Sequence, residues 1–344
     1  ELRDRLQRLT RRFAVAGVAT RHTVALWGIL LLAFALRAWG IGWGMPYAFH
    51  PDEDNYLPGA ISMMMRGDLN PHYFRNPPLL TYLVTLELSG YLLLERLLGL
   101  MQSAADLKRQ LHFDSPTPLY VLARANSVLL GSATVYLTYL ACKNLRDVRT
   151  ALLSAAILAV SFLHVRDSHY AVNDVPATFF LMASFYFAIR LFKMGHLRDY
   201  LLGGTLLGMA AATKYNTALG AASILAAHLI RHQKGGVYRH LRVHAPLVVA
   251  GLASMAAFII ANPYSVLDRT AFLQGFAEQY GWTADPFKTM DASQPFVIAR
   301  TLWEGIGAAA VVGSIVGLAL MSVRKPDEAI LLFSFPLIYL GFFL

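Results

Sequence analysis

Three consecutive residues, Asp52, Glu53 and Asp54, are acidic, and they open a polar stretch that runs from His50 to Arg75, Asn76 and a Pro-Pro pair at 77–78. Asp52-Glu53 follows a proline and precedes the helical run NYLPGAISMMM. This places the acids at a helix N-terminus, where the dipole favours the ionised carboxylate. An ionised carboxylate beside a substrate hydroxyl can act as a general base. Helix capping or plain solvation is the other use of such acids, above all for Asp54. Three cations, Arg75, Arg166 and Lys214, lie in three different polar segments. If they converge, they can hold a phosphate by charge-assisted hydrogen bonds. A phosphate leaving group stabilised by cations needs no proton. One acid–base task then remains, deprotonation of an acceptor, and one carboxylate suffices for it.

Such residues need a frame, and the composition says which kind. Of 344 residues, 56% are hydrophobic and 15% charged, against about 25% charged in an ordinary soluble domain. This predicts an all-α polytopic membrane protein. The net charge of +9 fits basic cytoplasmic loops better than nucleic-acid binding, and no nucleic-acid partner is expected. The single cysteine, Cys142, excludes an intrachain disulfide and a cysteine-based metal site. Residues 1–22 carry six arginines, with Leu2, Leu6, Leu9 and Phe13 at helical spacing. They predict an amphipathic basic helix on the cytoplasmic leaflet, with no cleavable signal pattern ahead of the first span.

Residues 23–43 form that span, long enough at about 20 residues to cross a bilayer. Basic clusters recur at Lys143/Arg146/Arg149, Arg190/Lys193/Arg198, Arg231/Lys234/Arg239/Arg242 and Arg324/Lys325, and all are assigned to the cytoplasm. Further spans are expected at 119–141, 150–165, 175–192, 201–213, 216–230, 245–261, 299–321 and 329–344. The pair around Lys214-Tyr215-Asn216 crosses twice and meets outside. Parity then forbids a single crossing by 79–101, which is read as a helix in the outer interface within a first outer loop at 44–118. Residues 23–344 thus form one transmembrane catalytic domain of roughly nine spans. The sequence stops at Leu344 inside an apolar run, so truncation is expected, with more chain beyond.

Sorting by side puts the unusual polar residues together on the outer face: Asp52, Glu53, Asp54, His72, Arg75 and Asn76 in the first loop; Arg124 at a span end; Arg166, Asp167, His169, Asn173 and Asp174; Lys214 with Tyr215; Asn262, Tyr264 and Asp268. Charged groups at membrane depth cost about 2.5–3.5 kcal/mol on insertion scales, so they are candidates for function. Arg124 and Lys214 could instead snorkel to the interface, and Arg166-Asp167 could be a solvated pair. There is no GxxxxGK[ST] loop, no HExxH and no GxSxG. His164 and His169 make a poor metal pair. His50 beside Asp52 and Glu53 could help hold a divalent ion, so a metal is possible but no cofactor is firmly expected.

The ordered motifs resemble those of GT-C glycosyltransferases, polytopic enzymes that use polyprenyl-phosphate sugars. HPDE at 50–53 resembles their first outer-loop motif. FRNPPLLTYL (74–83) resembles a Lys-Pro-Pro-Leu segment of the protein O-mannosyltransferase and aminoarabinose-transferase branch, with Asn76 in the place of the lysine and Arg75 one residue before. LARANSVLLGSATVYLTYLACKNL (122–145), HVRDSHYAVNDVPATFF (164–180), GMAAATKYNTAL (208–219) and ANPYSVLD (261–268) follow in the family's order. The resemblance implies a GT-C-like helix bundle with interfacial helices in the first outer loop, set in a cell membrane with its active site on the extracytoplasmic face. It implies Asp52 as general base supported by Glu53, Asp174 as the second-loop acid, and Lys214 and Arg166 near the donor phosphate. Arg75, Asn76, His169, Tyr215 and Tyr264 complete the candidate substrate-binding set. The partners would be a polyprenyl-phosphate sugar, membrane lipids, and a protein, lipid or glycan acceptor. A secondary transporter or lipid flippase is the competing class. It would place its charges near the midplane in repeated halves, which this sequence lacks.

Overall fold

The computed structural model describes residues 2–47, 49–233, 241–284 and 294–343, and among these every regular element is helical. Helix α1 (Leu2–Ala38) is one continuous rod. The expected basic segment and first span are therefore a single element; the side chains of residues 1–19, and Lys234, Arg239 and Leu344, lie outside the described residues. The outer-loop sequence folds as α2 (Glu53–Arg66), α3 (Leu79–Leu97) and α4 (Ala104–His112). Leu80, Val84, Leu88 and Leu92 recur every fourth residue on α3, the spacing that lines up one helix face. All four are buried in a cluster with Tyr56, Leu57, Ala60 and Ile61 of α2 and Leu107 of α4. The outward side of α3 carries exposed Leu86, Leu93, Leu94 and Leu97.

The bundle continues with α5 (Thr117–Leu145), α6 (Val148–Ala159), α7 (Phe162–Asp167), α8 (Asp174–Met194), α9 (Leu197–Ala211), a 3-10 segment at Tyr215–Gly220, and α10 (Ala221–Gln233). Then come α11 (Ala245–Ala261), α12 (Tyr264–Leu267), α13 (Arg269–Ala284), α14 (Gln294–Ile306), α15 (Ala308–Arg324) and α16 (Pro326–Phe343). Among the described residues, four segments are long and apolar enough to cross a membrane by themselves: Thr20–Ala38, Thr117–Leu145, Asp174–Met194 and Arg242–Ala261. The break expected at Lys214–Asn216 is present between α9 and the 3-10 segment.

Two expected spans are corrected. The run 299–321 is not one helix: the chain bends by 111° between α14 and α15, at Gly307, whose φ of +89° suits a residue without a Cβ. The run 150–165 is likewise divided at Val160-Ser161, between α6 and α7.

Charges sort to two ends of the bundle. At one end Glu328 meets Arg146 (2.7 Å), Lys193 and Lys325 (both 3.9 Å), while Arg190 pairs with Asp199 at 2.8 Å. Among the described residues, Arg146, Arg190, Lys193 and Lys325, from three of the four expected cytoplasmic clusters, thus share one end. At the other end of α8, about 30 Å away at 1.5 Å per residue, Asp174 pairs with Lys214.

Helices α9 and α11 cross closely because Gly204 and Gly208 face Ala250 and Ser254. A Cβ on either glycine would collide with a backbone carbonyl oxygen of α11. This is the small-residue packing that lets membrane helices approach. Since backbone cannot yield as a side-chain tip can, Gly208→Val is expected to cost about 1–3 kcal/mol. The check is the thermal midpoint of detergent-solubilised protein; an unchanged midpoint would mean that α11 does not sit there.

Candidate active site

Asp52 stands at the head of α2 but does not cap it, since its carboxylate makes no capping hydrogen bond. Its main-chain N–H donates to His50 Nδ1 at 3.2 Å. The exposed side chain opens into a cavity of about 460 Å³. From α2 and the loop after it, Asn55, Tyr73, Arg75 and Asn76 line this chamber; Asn173 just ahead of α8, Lys214 in the break after α9, and Gln279 of α13 close it. Burial pushes the Tyr73 phenol above its usual pKa, against the pull of Arg75, and Asp52 adds to the rise.

The neighbouring acid points the other way. Glu53 is fully buried, and its oxygens accept from Arg124 Nε and Nη2, both at 2.8 Å. Oε1 also accepts from the Ala171 N–H at 2.8 Å. Arg124, itself 1% exposed, spends Nη1 on the carbonyls of Ile41 and Trp43. This replaces two expectations: Glu53 does not face the chamber beside Asp52, and Arg124 does not snorkel. Asp54 accepts from the Tyr120 hydroxyl at 3.1 Å instead of capping α2.

The cations divide. Arg75 Nε donates to Glu278 Oε2 at 2.9 Å across the chamber rim, both side chains about half exposed. Lys214 bonds Asp174 Oδ1. Arg75, Asn76, Lys214 and Gln279 also line a second cavity of about 490 Å³, with Tyr215, Asn216 and Tyr339. That cavity shares Tyr215, Ala218 and Phe276 with a third, of about 600 Å³, which is walled by apolar residues of α9, α10, α11 and α13. Tyr215 is fixed at the junction: its hydroxyl donates to the Phe74 carbonyl at 2.9 Å, and its ring meets Phe276 edge-on. Three cavities therefore follow one another, from polar through mixed to apolar.

Asp52, Arg75, Asn76, Lys214 and Tyr215 line these cavities, and Asp174 is joined to them through Lys214. Three other candidates are not brought there. Arg166 pairs with its neighbour Asp167 at 2.8 Å in an exposed position, the local partner having won over a distant one. His169 Nε2 faces the Trp39 carbonyl at 2.8 Å. The Tyr264 hydroxyl reaches Asp68 Oδ1 at 3.4 Å, part of a tie that also bonds Asn70 to Asp268 at 2.7 Å. Among the described residues no three His, Cys, Asp or Glu side chains gather as a metal ion would require; His50 packs on the Tyr170 ring, and His164 faces the buried Arg37. Asn173 was read only as one of the outer-face polar candidates, and Asn55, Tyr73, Gln279, Glu278 and Tyr339 were not singled out from sequence. Asn55 and Tyr73 lie within the polar stretch at 50–76, which could have flagged them; the other three sit in helices without any motif.

The family model described as dolichyl-phosphate-mannose-protein mannosyltransferase matches residues 27–240. An undecaprenyl phosphate-alpha-4-amino-4-deoxy-L-arabinose arabinosyl transferase of Pseudomonas paraeruginosa is 29% identical over 202 residues, 56% of this chain and 31% of the relative. An uncharacterised protein of Aquifex aeolicus is 28% identical over 165 residues, 46% of this chain and 28% of the relative. The chain thus spans about a third of the length of the curated relatives it matches. Among solved structures, the Saccharomyces cerevisiae protein O-mannosyltransferase Pmt1-Pmt2 complex bound to the sugar donor is similar with a TM-score of 0.50 and 22% identity, over 76% of this chain and 34% of that one. The oligosaccharyltransferase AglB of Archaeoglobus fulgidus, in complex with an inhibitory peptide and a dolichol-phosphate, gives 0.50 and 15%, over 91% of this chain and 38% of that one. At such identities the likeness shows the fold, that of multi-pass GT-C membrane glycosyltransferases. Since the matched stretch takes in α2, Asp52, Arg75, Asp174 and Lys214 and covers more than half of the sequence, the chain belongs to the dolichyl-phosphate-mannose-protein mannosyltransferase family.

Proposed function

We propose that this chain moves a sugar from a polyprenyl-phosphate carrier to an acceptor hydroxyl on the extracytoplasmic side of a cell membrane, with inversion at the anomeric carbon. The observation that carries this reading is the run of three joined cavities. An apolar groove suits a polyprenyl tail, two cations at the middle suit its phosphate, and a chamber of amides and one free carboxylate suits a sugar and its acceptor. The arabinosyl transferase among the relatives names an undecaprenyl phosphate donor, and AglB is described with a dolichol-phosphate; both support the carrier class.

In this mechanism Asp52 takes the proton of the acceptor hydroxyl. The acceptor oxygen attacks the anomeric carbon from the face opposite the phosphate, the new C–O bond forms as the carbon–phosphate-oxygen bond breaks, and polyprenyl phosphate leaves. Lys214 and Arg75 stabilise the departing charge, and Asn76 adds a neutral donor at the position where the resemblance expects lysine. Asp174 holds Lys214 until the donor arrives. Glu53 acts at one remove, by fixing the turn that presents Asp52. We place α3 in the outer interface, its exposed leucines toward lipid, and treat residues 23–344 as one catalytic unit. Arg166, His169 and Tyr264 take peripheral roles in this scheme.

The direct test is transfer from a panel of radiolabelled polyprenyl-phosphate sugars by purified protein in lipid. Release of polyprenyl phosphate supports the reading; binding or bilayer transit of the lipid without consumption of the sugar overturns it in favour of a transporter. A second expectation concerns Arg75, which must leave Glu278 to meet a phosphate. Exposed pairs are worth up to about 1 kcal/mol, so Glu278→Gln is expected to lower the donor KM by up to about fivefold with kcat little changed. A raised KM would mean that Glu278 contacts the donor itself.

A further inference from the structure

Tyr56 lies one helical turn after Asp52 on α2, with its ring in the buried cluster that also holds Ala171 and Val172, just ahead of Asp174. It is 1% exposed, and its hydroxyl proton has no acceptor, while the Asn173 N–H bears on its oxygen. The groups that bear on that hydroxyl are Asp174, Asp52, Tyr73 and the main chain of Asn173, all at the chamber. Burial, with Asp174 and then Asp52, raises its pKa well above the usual phenol value. It therefore stays protonated and can only be satisfied by an acceptor. An O–H left without one inside a protein is costly. The carboxylate whose charge bears most on it, Asp174, is engaged by Lys214.

We propose that Tyr56 is a positioning residue for donor binding: its hydroxyl takes over Asp174 when Lys214 swings to the carrier phosphate. This rests on the function proposed above. Lys214 lines both the sugar chamber and the mixed cavity, so the move is a side-chain rotation between two faces that it already borders. Without a replacement partner, Lys214 would leave Asp174, whose side chain is 43% exposed, to water alone. With Tyr56 as the replacement, Asp174 trades one donor for another, and the phosphate gains the full charge of the lysine. The exchange makes and breaks only hydrogen bonds, and no proton changes owner.

The experiment measures binding of an unreactive polyprenyl phosphate to the full chain in lipid nanodiscs, for wild type, Tyr56→Phe, Asp174→Asn and the double variant. A hydrogen bond to a charged group is worth about tenfold or more in affinity. Tyr56→Phe is expected to weaken binding by about tenfold, with a thermal midpoint no lower than wild type in the absence of polyprenyl phosphate, because the hydroxyl proton has no acceptor there. In the Asp174→Asn background the same substitution is expected to change binding by less than about twofold, since an amide supplies its own donor and carries no charge. A merely structural role for Tyr56 would lower the midpoint and act equally in both backgrounds. Equal affinity of wild type and Tyr56→Phe, or equal loss in both backgrounds, overturns the proposal and leaves the proposed function standing. Failure of the wild type to bind polyprenyl phosphate overturns the proposed function itself. If Tyr56→Phe does not yield monodisperse protein, Tyr56→Met keeps an apolar side chain without the hydroxyl and is read against the same outcomes.

Discussion

Replacing Asp52 by Asn is expected to reduce transfer by 10²-fold to about 10⁴-fold, the range that a positioned general base contributes, while polyprenyl phosphate still binds. The side chain makes no capping bond and packs into nothing, so the amide should fit without structural cost. The thermal midpoint of Asp52→Asn should match wild type within error. The measurement is single-turnover transfer with preformed donor complex, which separates the chemical step from binding. If Asp52→Asn turns over as fast as wild type, the base is elsewhere, and Asp174, joined to the chamber through Lys214, is the next carboxylate to replace. If it loses donor binding and rate together, Asp52 holds substrate and does not take its proton.

The second large effect falls on the adjacent residue and is of another kind. Glu53→Ala leaves the Arg124 guanidinium buried without its carboxylate, and removing one partner of a buried pair costs about 3–5 kcal/mol. It also strips the Ala171 N–H of its acceptor. Glu53→Ala is therefore expected to yield little monodisperse protein, with residues 44–78 open to added protease. Replacing both Glu53 and Arg124 by leucine should recover part of the loss, because no bare charge is then buried. Recovery should stay partial, since Arg124 also holds the carbonyls of Ile41 and Trp43. A Glu53→Ala protein that is as stable as wild type but inactive would put Glu53 back in the chamber.

That two adjacent acids should differ so much marks where sequence reading stops. Both were visible as charges in an apolar chain, and so were Arg75, Asp174 and Lys214, because each is too costly at membrane depth to be incidental. Successive residues on a helix point about 100° apart. Which acid faces water and which the core depends on Arg124, 71 residues away, and no local pattern records that partner. Arg166 fails as a chamber residue for the opposite reason: its partner, Asp167, is next to it in the chain. Gln279 and Glu278 lie on α13, whose composition marks no face, and they matter only because that helix closes the chamber. The two-ended sorting of charge was legible, since it follows from counting spans and basic clusters. The bend at Gly307 was not, because the run is apolar on both sides of it and a glycine can equally continue a helix.

The bonds around Glu53 also have a consequence in time. They join residues 41–43, 53, 124 and 171, and the last of these bonds spans 118 residues. Chains emerge from the ribosome N-terminus first, at roughly 5–20 residues per second, so about 6–24 s separate the synthesis of Glu53 from that of Ala171. Through that interval the segment bearing Asp52 can pack on α3 and α4, and Glu53 can meet Arg124 once α5 is made, but the bond from the Ala171 N–H is still missing. Full anchoring of the segment waits on α5 and on the turn ahead of α8. The earliest of the acidic segments to be made is thus fully set only when half of the 344 residues exist, and a nascent chain halted before residue 171 would carry the acid without all of its supports.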